Sequence, residues 1–302
     1  MALKHSFGGN WTEEKLEYLR KYLHAYTKIF TTNVKASYYT TIYVDAFAGT
    51  GYRTVNEDKN IFDFLLIDDN DAISFQKGSV QIALENDPPF DKYIFIDKNP
   101  EHLNELKSLC DKYPDRKREI KFYFEDANLF IKNWCQTTKW DENRAVVFLD
   151  PYGMQVQWST IEAIAKTKAI DLWILFPLGQ AVNRLLPKKR LPEEPYAKRL
   201  TSIFGTENWK CEFYRERKIQ TIFGEETVIV KDANYSSISK YFIDRLRTIF
   251  KEVSNVPRLL YNSRNVPIYL LCFAAGNPIG AKTAVKIAND IMKVDYGFTI
   301  EN

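Results

Sequence analysis

Apolar residues along the chain fall into two rhythms. Four short runs, almost continuously apolar, β-branched or aromatic, end in acids: TTIYVD (40–45), KYIFID (92–97), IKFYFED (120–126) and RAVVFLD (144–150), and a fifth, DLWILF (171–176), follows them. Such runs suit strands covered on both faces. Between them, at 100–112, 128–138 and 159–168, the pattern is helical. An opening helix is expected where Leu16, Leu19, Leu23, Tyr26 and Phe30 recur on one face, behind a cap at Asn10 or Thr12. Alternating strand and helix predict an α/β fold with a doubly wound, mostly parallel sheet. Residues 187–232 break the rhythm with Pro187, Pro192, Pro195 and mixed charge, and 233–251 returns to helix, so 180–252 is expected as a helical excursion over one end of the sheet. The last part, PRLLYNSRNVPIYLLCFAAGNP, holds two strand-like runs around Asn262 to Asn265, predicting an antiparallel C-terminal edge strand, and a final helix follows near 280–293.

Composition narrows the classes. A chain of 302 residues, 45% hydrophobic and 27% charged, has ordinary globular proportions, which argues against disorder. Cys110, Cys135, Cys211 and Cys272 are dispersed without a CxxC spacing, so neither a disulfide framework nor a metal site is suggested, and a reducing cytoplasm is the expected compartment. No apolar leader opens the chain and no later run is long enough to span a bilayer, so a membrane location is not expected. Net charge is only +3, yet basic residues gather at Lys112–Arg118 and at Lys188–Arg190. Either run could meet a phosphate backbone; short runs of charge are otherwise solvated loops.

The acid-ended strands carry the candidate chemistry. After the first comes Asp45-Ala46-Phe47-Ala48-Gly49-Thr50-Gly51, a place where glycines let backbone amides approach a ligand. It lacks the third glycine of the dinucleotide fingerprint and the Gly-Lys-Ser/Thr of a Walker loop. It resembles motif I of S-adenosylmethionine-dependent methyltransferases, where small residues lie beside the methionine part of the cofactor. A carboxylate for ribose hydroxyls is expected about 20 residues past the glycines. Asp97, followed by Lys98, stands 46 residues past Gly51 but 18 past Ser79, so 52–77 reads as an insertion ahead of a displaced helix that starts near Gly78. The alternative is that Asp97 only caps the next helix. Glu125-Asp126-Ala127-Asn128 ends the third strand, where an acid or amide can accept from an adenine amine. Asp150-Pro151-Tyr152-Gly153 ends the fourth and resembles the Asp/Asn-Pro-Pro-Tyr turn of aminomethyltransferases. There an acceptor on the amine hydrogens turns the nitrogen lone pair toward the methyl, and Tyr152 could stack on a flipped base. Pro and Gly favour a plain turn at this place as well.

Longer phrases carry a further resemblance. WTEEKLEYLRKYLHAY, IYVDAFAGTG, PPFDKYIFID, RAVVFLDPYGMQVQW, DLWILFPLG and RLTSIFGTENW, in this order, resemble the three-Cys-motif partner protein family. The resemblance spans most of the chain. It implies a methyltransferase-like Rossmann sheet with helical insertions, S-adenosyl-L-methionine as cofactor, and a separate three-cysteine protein, similar to radical S-adenosylmethionine enzymes, as partner. It names no acceptor, so RNA, DNA, protein and small molecules stay open. The reading is one domain over 1–302 with insertions at about 52–77 and 187–232. Its cofactor residues are Asp45, Phe47, Ala48, Gly49, Gly51, Asp97, Lys98, Asp126, Ala127 and Asn128, and its catalytic residues are Asp150, Pro151 and Tyr152. Opening residues near Trp11 and Lys15 are expected to fold across the pocket, with core packing of Trp11 as the alternative. Two other classes compete. A scaffolding partner would bind the cofactor without transferring methyl. A phosphate loop at Gly276 to Thr283 fails at Ala281, where the pattern requires glycine.

Overall fold

The computed structural model describes residues 10–48, 78–151, 153–222 and 224–293. The first half runs α1 (Asn10–Thr32), β1 (Thr40–Asp45), α2 (described over 78–85), β2 (Lys92–Asp97), α3 (Pro100–Cys110), β3 (Ile120–Phe124), α4 (Ala127–Thr137), β4 (Asn143–Leu149), α5 (Trp158–Lys166) and β5 (Ile170–Phe176). The second half runs α6 (Glu194–Phe204), α7 (Trp209–Phe213), β6 (Tyr214–Thr221), β7 (Gly224–Lys231), α8 (Tyr235–Arg247), β8 (Glu252–Val253), β9 (Arg258–Tyr261), β10 (Pro267–Ala275) and α9 (Ala281–Lys293). The strands assemble, in space, as β3-β2-β1-β4-β5-β10-β8, with β9 also on β10. The first five are parallel and β10 runs antiparallel beside β5. This is the doubly wound, Rossmann-like sheet expected, and β10 with the short β8 and β9 forms its antiparallel margin.

Period two distributes the strand residues between two apolar layers. Ile42 and Val44 of β1, Ile94 and Ile96 of β2, Ala145, Val147 and Leu149 of β4, and Leu172, Ile174 and Phe176 of β5 enter one layer, with residues of α4, α5, α6 and α8. Tyr43, Phe95, Val146, Phe148, Trp173 and Phe273 enter the other, under α1, α2, α3 and α9. Every central strand is therefore apolar on both sides.

Helix ends follow local chemistry. Asn99 caps α3 by accepting from the Glu101 amide, Asp126 caps α4 by accepting from Leu129, and Asn234 with Ser237 forms a capping box on α8. Gly205 ends α6 in the left-handed region (φ 69°), where a β-carbon would lie 2.0 Å from Trp158. The excursion over 180–252 is only partly helical: β6 and β7 pair as a separate two-stranded sheet. The 52–77 insertion lies outside the described residues, and α2 is described as helix over 78–85. No described helix is long and apolar enough to cross a membrane.

Candidate active site

The alternation that buries the strands also aims their acids. Because Ile42 and Val44, Ile94 and Ile96, and Ala145, Val147 and Leu149 face one layer, the register places Asp45, Asp97 and Asp150 toward the α1 side. Parallel pairing sets all three at the carboxyl edge, with Asp45 opposite both Phe95 and Phe148.

Asp150 does not stand alone. Lys15 of α1 places Nζ 3.1 Å from its Oδ1 and 3.2 Å from its Oδ2, with Lys15 1% and Asp150 7% exposed. The ammonium lies 4.5 Å from the centroid of the Trp11 ring, which packs on Tyr269 at 5.3 Å. Trp11 is thus packed in the core, and α1 covers the end of β4. Burial draws the Lys15 ammonium down to about 7, against the attraction of Asp150. Burial likewise pushes the Asp150 carboxyl up, against the pull of Lys15.

Asp45, 1% exposed, accepts from Ser79 Oγ at 2.8 Å and so ties α2 to the end of β1. Burial raises its carboxyl to about 7, opposed by Ser79 and by the Phe47 amide, while the charge of Asp150 raises it further. The next residues stitch the turn into the sheet: the Ala46 amide donates to Phe148 O on one side and the Ala48 amide to Ile96 O on the other. Phe47 packs on the first layer and Ala48 is buried in the second. Gly49 and Gly51 lie outside the described residues.

Asp97 is not the cap of α3, since Asn99 fills that place. Its Oδ1 accepts from the Asn99 amide at 2.5 Å and lies 3.3 Å from His102 Nδ1. Lys98 reaches across to Asp126, 2.5 Å away. Partial burial raises the Asp126 carboxyl, but Lys98 and the Leu129 and Asn128 amides outweigh it and hold it below the usual carboxylate range. Ala127 is buried, and the Asn128 amide braces α4 against the segment after β4: it donates to Gln155 O and accepts from the Gln157 amide and Thr160 Oγ1. Pro151 is buried and Gly153 adopts φ 69°; Tyr152 lies outside the described residues.

Three features escaped the sequence reading. Nothing local links Lys15 to Asp150 or Ser79 to Asp45. Phe124 (63% exposed) and Leu129 (50%) flank Asp126, and only the edge position of β3 reveals that they meet water. The carboxyl edge is thus a row of acids with an apolar pair at one end, suited to a ligand bearing hydroxyls and positive charge. Among the described residues no cluster of His, Cys, Asp and Glu could hold a metal ion. An open groove of about 720 Å³, lined by Phe30, Tyr38, Tyr39, Lys92 and Arg116 among others, lies at the opposite, amino edge, away from these acids.

No protein-family model matches the chain, and no curated protein matches it. Among solved structures it is similar to a DUF519-family protein from Legionella pneumophila, at 11% identity and TM-score 0.46, over 95% of this chain and 92% of that one. It is similar to a glycopeptide N-methyltransferase complexed with S-adenosyl-L-homocysteine, at 9% identity and TM-score 0.31, over 89% and 90%. A third likeness is to an rRNA methylase from Streptococcus thermophilus, at 11% identity and TM-score 0.27, over 64% and 87%.

Proposed function

We propose that the chain is an S-adenosylmethionine-dependent methyltransferase acting on an exocyclic amine of a nucleic-acid base. Asp150 carries the reading: a carboxylate beyond β4, paired with a buried ammonium, ahead of a proline turn, on the face shared by Asp45 and Asp97. The strand-end acids fit the cofactor's chemistry. Asp97 suits ribose hydroxyls, Asp126 between Phe124 and Leu129 suits an adenine, and the turn from Asp45 to Gly51 suits the methionine part. When bound, S-adenosylmethionine supplies an electrophilic methyl group. Asp150 accepts from the amine N–H and turns the nitrogen lone pair toward that methyl, and Lys15 keeps the carboxylate charged away from water. Tyr152 is assigned the stacking of the flipped base.

A second reading is favoured by one observation: both Asp150 oxygens face Lys15. A closed pair of that kind suits a chain that binds the cofactor and serves a three-cysteine protein without transferring methyl, docking it through 187–232 or 52–77. Titration with S-adenosylhomocysteine and transfer from tritiated cofactor to total RNA separate the two. Asp97→Ala removes charge-assisted hydrogen bonds of about 1.5–3 kcal/mol each, so affinity falls at least about tenfold. Asp150→Asn, which keeps a partner for Lys15, retains affinity within about threefold but loses roughly 10²–10⁴ in turnover. Turnover unchanged in Asp150→Asn overturns the amine mechanism, and cofactor binding without transfer supports the second reading.

A further inference from the structure

Topology separates the two basic runs of the chain. Lys112 and Arg116 precede β3, around a 3-10 turn at Pro114–Glu119 that leads into Ile120. Ile120 pairs with Tyr93 and Phe124 with Asp97, so this run sits at the amino edge, away from the acids. The second run leaves the other edge. β5 ends at Phe176, two residues beyond the pairing of Ile174 with Leu149, next to Asp150. The chain is then held there: the Gly179 and Gln180 amides donate to Ile268 O, the Ala181 and Val182 amides to Pro177 O, and Val182–Leu185 forms a 3-10 turn. Lys188, Lys189 and Arg190 follow, all exposed.

The foot of the hairpin adds another cation to this run. The Lys231 amide donates to Lys188 O at 2.9 Å, and its Nζ donates to Asn183 Oδ1 at 2.6 Å and to Asn183 O at 3.3 Å. Lys231 is therefore fixed beside Lys188. Burial, together with the charge of Lys188, draws its ammonium below the usual range. Cations held together in this way gain from an anion placed among them. The acids beside the run have other partners or one of its own cations: Glu193 pairs with Arg190 at 3.1 Å between exposed side chains, Glu194 with Lys198 at 2.7 Å, and Asp232 lies 3.5 Å from Arg217 and 3.9 Å from Arg215 of β6.

We propose that Lys188, Lys189, Arg190 and Lys231 form a strip that binds the phosphate backbone of the nucleic acid whose base enters the cleft at Asp150. The inference rests on the nucleic-acid reading above and picks the strand's path: along the carboxyl edge of β5, past the hairpin foot, and not across the Lys112–Arg118 run. Regularly spaced phosphates match consecutive cations on an anchored loop, and they confer affinity without reading sequence.

The test is fluorescence anisotropy of a labelled single-stranded RNA, with a DNA of the same sequence beside it, titrated with the full chain over a range of KCl. Binding of either strand fits the backbone chemistry. Lys188→Ala/Lys189→Ala/Arg190→Ala is expected to weaken binding at least about tenfold. It should also flatten the slope of log K against log salt by about 2, since each lost single-strand contact removes roughly 0.7. Lys112→Ala/Arg116→Ala should change neither, and both variants should bind S-adenosylhomocysteine like the parent. The proposal is overturned if the triple variant binds like the parent, if both variants lose equally, or if polyglutamate competes as well as unlabelled RNA at equal charge. A parent chain that binds S-adenosylhomocysteine but neither RNA nor DNA also sinks the strip and leaves the cofactor reading standing. Strip-dependent RNA binding without cofactor binding upholds the strip and removes the methyltransferase reading.

Discussion

Lys15 and Asp150 are tolerable out of water only as a pair. Removing one partner strands the other, whereas replacing both with apolar groups relieves the desolvation of both charges. Lys15→Met is therefore expected to cost about 3–5 kcal/mol in urea unfolding, and Lys15→Met/Asp150→Leu to recover at least half of it. The same burial gives stability a dependence on pH. Asp45 and Asp171, both raised to about 7, keep protons in the folded chain that the unfolded chain releases above about pH 4. Their contribution favours the fold in acid and is lost as pH rises through about 7. Lys15, lowered to about 7, gives up a proton that the unfolded chain keeps to about 10, so stability recovers as pH climbs beyond 7. Each group acts with a slope of up to about 1.4 kcal/mol per pH unit. Urea midpoints measured from acid to alkaline pH should pass through a dip near neutrality, and Asp45→Asn should flatten the acid limb while Asp171 maintains part of it. Asp97 and Asp150 were legible in the sequence because each follows a strand-like run. The partner of Asp150 was not, since Lys15 and Asp150 are 135 residues apart and only the fold brings them together.

At the scale of elements, apolar runs buried on both faces announced themselves, and all five parallel strands lie within a residue or two of their expected bounds. The hairpin did not. YRERKIQT and GEETVIVK carry charge on both faces, most of β6 is exposed, and no period survives to be read. β8, two residues long, is too short for any pattern. The end of α6 shows how one residue can control an element. Gly205 takes a left-handed conformation, and a β-carbon there would meet Trp158, which itself packs near Phe242 of α8. Gly205→Ala combines the backbone penalty with overpacking, for about 2–4 kcal/mol, read as a lower urea midpoint with an unchanged slope.

Across the whole molecule, the alternation of strand and helix was enough to give the doubly wound sheet, while the placing of β10 beside β5 depended on pairings that sequence order does not reveal. The same holds for α1, which runs from one edge of the sheet to the other. At the carboxyl edge Lys15 meets Asp150 and Glu14 meets Arg258 of β9; further along, Tyr22 donates to Asp171 at 2.7 Å and packs against the Phe273 ring of β10 at a tilt of 54°. The partners of α1 thus include parts of the chain far beyond it, Glu14 and Arg258 being 244 residues apart. Of its aromatic stripe, Tyr26 packs on Phe90 and Tyr22 on Trp173, but Trp11 waits for Tyr269 and Tyr22 also for Phe273. The second apolar layer cannot be finished until β9 and β10, which supply Leu260, Tyr269, Leu271 and Phe273, have emerged, so α1 keeps part of its apolar face open during translation.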